Sequence, residues 1–271
     1  CRKDKTDFID LALLNLEQSN DAEDFNLATE EIDDEIENII SETSLKAASY
    51  SIPCNVTIDS SLILNKKMTI TFDGVNCKGN RTRAGVVTVE LTDGDRWQDA
   101  GAKITVTFEN LKISNITTGR YIVLNGAKTH TNVSGGLLVN LGQENTPVTI
   151  IRKIESGNMK VTFTNGAQRQ WNIARMRSFT KENDNYMVTV SGFGESDGHT
   201  NLVEWGTNRR GTQFFTEITE PVIYSEACDY YPSKGVKLHY VGNREIEVTL
   251  GTDVTGTPVE EGCADYYKVV W

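Results

Sequence analysis

Glycine and proline are missing from the first 52 residues of this chain. Its five prolines begin at Pro53, and all 22 glycines lie at or beyond Gly74. These two residues supply most of the backbone punctuation that turns require. The chain is therefore two materials: an uninterrupted opening segment that favours helix, and a body of about 220 residues broken often enough for short strands and tight turns.

Within the opening segment, residues 7–16 read as a short helix. Ser19-Asn20-Asp21 is a break, with Asn20 and Glu23 spaced as a capping box. From Glu23 to Ala48 the apolar residues Ala28, Ile32, Ile36, Ile39, Ile40 and Ala47 recur at mostly helical spacing, and carboxylates fill the other positions. That is an amphipathic helix of six or seven turns. Residues 1–45 hold three basic and fourteen acidic side chains, so they carry the whole net charge of −11. The body is formally neutral and has no Lys/Arg cluster, which argues against nucleic acid as a partner. Two roles fit the helix: a spacer holding a domain off a membrane, or an element packing its Ile stripe on the body. A β domain that folds without residues 1–48 is the expectation.

From residue 56 the hydrophobic period changes to two. Met68–Phe72, Val86–Leu91, Ile104–Phe108, Val148–Ile151, Lys160–Phe163, Met187–Val190 and Glu245–Leu250 alternate and are rich in β-branched residues. Asp73-Gly74, Asp93-Gly94, Asn125-Gly126, Asn165-Gly166 and Asp197-Gly198 read as hairpin turns. The fold class is all-β, an antiparallel sandwich-like body preceded by the acidic helical segment. Ile70–Gly74 resembles Val161–Gly166, each followed by an Arg-bearing strand (Arg81, Arg83; Arg169, Arg175, Arg177). This suggests two lobes, 49–155 and 156–271, after an N-terminal unit of 1–48. A single long sandwich or one continuous sheet is the alternative.

The five cysteines contain no CxxC pair, which excludes zinc-ribbon and thioredoxin-like readings. Cys54, Cys77, Cys228 and Cys263 allow three connectivities. The local one, Cys54–Cys77 and Cys228–Cys263, keeps each bridge within one lobe and suits an exported chain; four buried thiols in a cytosolic protein is the competing reading. Cys1 is left over at the first position, where a mature bacterial lipoprotein carries its lipid, and Lys3-Asp4 looks like a surface-sorting signal. The expected address is lipid-anchored, at the outer membrane, cell surface or periplasmic face. The four Asn-x-Ser/Thr sequences (Asn55, Asn80, Asn115, Asn132) suit turns and strands in such a protein.

No catalytic signature is present among GxSxG, HExxH, GxGxxG or GxxxxGK[ST]. His130, His199 and His239 lie far apart without metal-ligand spacing, and Ser196–His199 reads as a hairpin loop rather than a triad. Asp93, Asp95 and Asp99 lack the ligand pattern of an EF-hand. No cofactor or metal is expected. Trp97 and Trp171, beside Asp, Asn and Gln, are candidate sugar-binding faces; the competing reading is that both are core anchors. Tyr266–Trp271 reads as a last strand.

Two stretches carry a family likeness. One is Trp205-Gly-Thr-Asn-Arg-Arg-Gly211-Thr-Gln-Phe214, followed by Thr216–Pro221, Cys228 and Cys263; the other is Cys77-x-Gly79 with Arg81-x-Arg83-x-Gly85 and Asp99–Phe108. Over about 200 residues this pattern resembles a group of uncharacterised Bacteroidetes cell-surface lipoproteins. The resemblance implies address and an all-β fold and transfers no functional residue. The function expected is a non-catalytic surface binding or structural module for a glycan or a protein partner. A hydrolase using paired carboxylates and a subunit of a surface assembly are the alternatives.

Overall fold

The computed structural model describes residues 25–26, 28–40, 53–144, 146–182, 185–228, 231–260, 262–264 and 266–270. Cys1, the helix expected over 7–16, the Asn20/Glu23 cap, the end of the second helix beyond residue 40 and Trp271 lie outside them.

The period change at residue 56 marks a real boundary. Among the described residues, helix α1 (residues 25–26 and 28–40) precedes fourteen strands. These are β1 (Val56–Asp59), β2 (Lys67–Val75), β3 (Arg81–Asp93), β4 (Lys103–Asn115), β5 (Tyr121–Asn132), β6 (Ile150–Phe163), β7 (Gln168–Glu182), β8 (Asn185–Gly192), β9 (Gly194–Ser196), β10 (His199–Thr207), β11 (Gln213–Ser225), β12 (Pro232–Val241), β13 (Arg244–Thr252) and β14 (Tyr266–Val270). All pairings are antiparallel, and the strands form one sheet in the order β1-β2-β3-β4-β5-β6-β7-β10-β11-β12-β13-β14. Between β7 and β11, β10 pairs the stretch around Trp171 with that around Phe215, while β8 pairs the later halves of both strands.

The body is therefore one continuous ladder. The lobe boundary expected at 155/156 falls inside β6, which pairs with β5 and β7 on its two sides. Val148–Ile151 and Lys160–Phe163, expected as parts of separate strands, meet in that single strand. Two of the expected turns are also inside strands. Asp73-Gly74 lies within β2, where a Cβ on Gly74 (φ +142°) would meet Asn55 Cβ at 2.9 Å. Asn125-Gly126 lies within β5 at a break in its register with β6. Asp197-Gly198 does turn, with φ of +49° and +83°, as a tight hairpin requires.

Alternation along the strands places one set of side chains against α1. Ile70 and Phe72 of β2, Val87 and Val89 of β3, Val106 and Phe108 of β4, and Trp171 of β7 are all buried in one cluster with Phe25, Ala28, Ile32, Ile36, Ile39 and Ile40. Flat strands spaced ~4.8 Å apart would spread β2–β7 well beyond the width of one helix. The sheet therefore curves around α1, and only a stripe at Asp34 and Asn38 reaches solvent fully. The Ile stripe packs on the body, so over these residues the helix is part of the core rather than a spacer. Each fully buried Ile side chain stabilises the fold by roughly 1.5–3 kcal/mol. A second, smaller cluster includes Leu141, Ile150, Phe179, Val188 and Val222.

Candidate functional site

The helix-facing side of the sheet is charged as well as apolar. Six consecutive carboxylates of α1 each meet a cation from a strand. Glu31 pairs with Arg81 at 2.8 Å and Glu35 with Arg83, both on β3; Asp33 meets Lys128 of β5, with His130 Nε2 3.4 Å away. Glu37 pairs with Arg152 of β6 at 2.7 Å, and Glu30 and Asp34 pair with Arg175 and Arg177 of β7 at 3.2 and 3.0 Å. Burial alone would push the Asp33 carboxyl up, but Lys128 and His130 outweigh it and hold the group well below the usual carboxylate range. Burial lowers Lys128 despite Asp33, and it raises Glu35 despite Arg83. The carboxylates of α1 and the cations of β3, β5, β6 and β7 thus form one charge-compensated interior. The sequence held a signal for this pairing: Arg81/Arg83 and Arg175/Arg177 each stand two apart on one strand, so each pair shares a face.

Trp97 and Trp171 belong to this interior and present no face to solvent, being 2 % and 0 % exposed. The indole N–H of Trp97 donates to Glu37 Oε2 at 3.1 Å, and that of Trp171 donates to the buried Glu204 Oε2 at 2.9 Å. Trp171 also stacks on Phe25, ring centroids 4.1 Å apart. Asn172, on the opposite face of β7, accepts from the Asn158 N–H and donates to the Trp205 carbonyl.

The other polar candidates are dispersed. Asp93, Asp95 and Asp99 are each bonded to a cation, respectively Lys103, Lys66 and Arg96. His130 lies in the interior, His199 Nδ1 is 2.8 Å from Glu217, and His239 Nδ1 is 3.1 Å from Thr216 Oγ1. Among the described residues no group of three His, Cys, Asp or Glu is placed to hold a metal ion. Cys54–Cys77 and Cys228–Cys263 form disulfides, with Cα atoms 5.0 and 5.3 Å apart. Two such bridges fit a location outside the cytoplasm. No helix among the described residues is long and apolar enough to cross a membrane.

One recess is on the outer face of the sheet, away from α1. A shallow groove of about 410 Å³ is lined by Thr129 of β5, Glu155 and Ser156 of β6, Ala174 of β7, Phe193 and Trp205. It opens where the β5–β6 register shifts between Asn125 and Thr129 and the β6–β7 register shifts between Ser156 and Met159. Bulges in neighbouring ladders re-aim side chains and leave room between strands. Gly194 lets the Trp205 indole lie against the backbone, since a Cβ there would come within 2.6 Å of the ring. Lys153 sits 4.5 Å from the centroid of Phe193 and pairs with Glu155 at 2.7 Å. Ser156 Oγ is shielded from solvent and has no hydrogen-bond partner among the described residues. A half-buried indole, a carboxylate and hydroxyls thus border one concavity, with the Lys153 ammonium held against two of its lining residues. Of these residues the sequence singled out only Trp205, and in the family likeness rather than as a site. A smaller recess of about 240 Å³ lies by Tyr121, Phe163 and Arg209, with the Arg209 guanidinium 4.5 Å from the Phe163 ring centre.

No protein-family model, curated protein or solved structure matches the chain.

Proposed function

We propose that the chain is an exported surface protein, anchored through a lipid at Cys1, that binds a glycan non-catalytically in the outer-face groove. The observation carrying this reading is the half-buried Trp205, which lines an open recess with Glu155 and Thr129, Glu155 being paired with Lys153. A pyranose has an apolar face of C–H groups that stacks on an indole, and hydroxyls at its edge that pair with carboxylate, ammonium and hydroxyl groups. The unpartnered Ser156 Oγ is a further group that a sugar hydroxyl would satisfy.

Among the described residues that line this groove, Glu155 is the one carboxylate. Glycoside hydrolysis needs two, about 5–9 Å apart, so the groove supports binding over the hydrolase alternative. A surface assembly would be favoured by exposed strand edges and by an Ile-faced helix without an intramolecular partner; α1 already spends that face inside its own chain.

A glycan array probed with the full chain and with Trp205→Ala tests the reading. Selective binding weakened about tenfold or more by the substitution is expected, because the stacked face is lost. Trp97→Phe serves as a control that lowers stability and leaves binding of the folded protein unchanged. Absence of any selective binder, or binding indifferent to Trp205→Ala, overturns the proposal.

A further inference from the structure

One hairpin stands off the main path of the ladder. β9 pairs with the start of β10, His199 opposite Ser196 and Leu202 opposite Gly194, and Asp197-Gly198 turns between them. The pairings of β10 with β11 and β7 begin only at Leu202 and Glu204. The tip of the hairpin is therefore placed by side chains rather than by the hydrogen bonds of the large sheet. At its base the hairpin belongs to the outer-face groove. Phe193 and Gly194 line that groove, and the Phe193 N–H donates to the Ala174 carbonyl. A Cβ on Gly194 would come within 2.6 Å of the Trp205 ring and 3.0 Å of Ala174 Cβ, so this backbone is wedged against two other lining residues.

The tip is joined to other strands. His199 stacks on Phe215 of β11, ring centroids 4.4 Å apart and planes 21° from parallel. It leans on Tyr240 of β12 at the same centroid distance. Phe215 and Tyr240 stand directly opposite in register, so the two rings share a face and His199 meets both. Its Nδ1 is 2.8 Å from Glu217 Oε1, and Asp197 accepts from the Gln213 amide at 3.3 Å. Phe215 is also the register partner of Trp205, so this stack lies on the strand next to the groove's indole.

We propose that His199 is a positioning residue for the groove: clamped by Phe215, Tyr240 and Glu217, it holds the hairpin in place as the groove's wall. The proposal rests on the glycan reading for its ligand, while the clamp itself is independent of what binds. His199 is not among the lining residues, so it acts on a ligand only through Phe193, Gly194 and the seat of Trp205. A ring between two aromatic neighbours gains more than its buried area alone, and the Glu217 contact fixes which way that ring faces. The hairpin also needs holding. Asp197 and Asn201 have φ of +49° and +53°, a region that Asp and Asn tolerate without preferring. A wall in place for only a fraction of the time lowers apparent affinity by that fraction. A clamped wall leaves the ligand no such ordering cost.

Amide hydrogen exchange of the full chain, read by mass spectrometry on wild type, His199→Ala and His199→Phe, tests the clamp without any ligand. In His199→Ala, exchange over residues 193–202 should quicken about tenfold, with β4, β5 and the urea midpoint unmoved, because only local opening is released. His199→Phe keeps a ring against Phe215 and Tyr240 and should stay protected. On the glycan array the same proteins should follow the same order, His199→Ala about tenfold weaker than wild type and His199→Phe close to it. Unchanged exchange in His199→Ala, or loosening spread over the whole sheet, overturns the proposal. So does a His199→Phe chain as loose as His199→Ala, or a loosened hairpin with undiminished binding. A wild type that binds no glycan removes the glycan reading, and exchange then decides the clamp alone.

Discussion

Trp97 and Glu37 are sixty residues apart and meet at 3.1 Å, indole N–H to carboxylate, inside the curve of the sheet. The same carboxylate takes Arg152 at 2.7 Å. One acidic residue of α1 thus accepts from a loop tryptophan and a β6 arginine, both of them buried. The helix is held in register with the sheet by this and five similar pairs, and by the Ile stripe between them.

Removing one member of a buried pair leaves a buried charge. Glu37→Ala is expected to destabilise the fold by about 3 kcal/mol, since Arg152 loses its counter-ion and the Trp97 N–H its acceptor together, while Arg152 keeps only the neutral acceptors Asn132 Oδ1 and the Gly136 carbonyl. Adding Arg152→Met to that chain should recover part of the loss, because an apolar side chain in the same space has nothing to satisfy. Urea denaturation of the wild type, both single variants and the double variant measures this; a double variant less stable than Glu37→Ala contradicts it.

Deleting residues 1–48 is expected to abolish cooperative unfolding rather than leave the folded β domain anticipated from the sequence. It strips the cover from Ile70, Phe72, Val106, Phe108 and Trp171 and takes the α1 carboxylates away from Arg81, Arg83, Arg152, Arg175 and Arg177. A milder form is Ile36→Ala, which should cost about 2–5 kcal/mol. Thermal unfolding by circular dichroism reads both, and a sharp transition in the truncated chain would restore the spacer role.

Stability should fall between neutral and mildly acid pH through His239. Its burial, helped by Lys237, holds the imidazole down to about 4, against about 6.5 in an unfolded chain. In that interval the unfolded chain binds a proton that the folded one refuses, so stability drops as pH falls from about 6.5 to about 4. The Asp33 contribution, whose carboxyl is held low by Lys128 and His130, is lost only at more acid pH. Urea midpoints at pH 7 and about 4.5 should differ, and His239→Gln should shrink the difference; an unchanged difference removes His239 as its source.

Non-reducing peptide mapping should recover Cys54 with Cys77 and Cys228 with Cys263. Replacing Cys228 and Cys263 together by Ala is expected to cost about 3–4 kcal/mol, the loop-closure entropy of the bridge. Any peptide joining Cys54 or Cys77 to the later pair contradicts the pairing.

The sequence alone settled whatever depends on near neighbours along the chain. The glycine-free start and the recurrence of Ile32, Ile36, Ile39 and Ile40 marked the helix. Alternation marked the strands around Met68–Phe72, Ile104–Phe108 and Glu245–Leu250, because a side chain's face follows from its own backbone period. The disulfide pairing was legible for a related reason, since the local connectivity is the one that strands close in sequence permit.

The tertiary structure decided what depends on curvature and on contacts between distant residues. Whether Trp97 and Trp171 meet water or a carboxylate depended on where α1 lies, and no local pattern encodes that placement. The Asp-Gly and Asn-Gly pairs at 73–74 and 125–126 carry turn chemistry, yet in the sheet they serve a close approach to Asn55 and a register shift. The groove at Trp205 exists only because shifts in two adjacent ladders coincide. The two-lobe reading failed because repeated strands look alike wherever their period is the same, and only hydrogen bonding across β6 distinguishes two lobes from one sheet. Charge shows the division most plainly. The acidic segment and the neutral body were visible as totals, but compensation is pairwise and acts over about 3 Å, so only the fold could show which carboxylate answers which arginine.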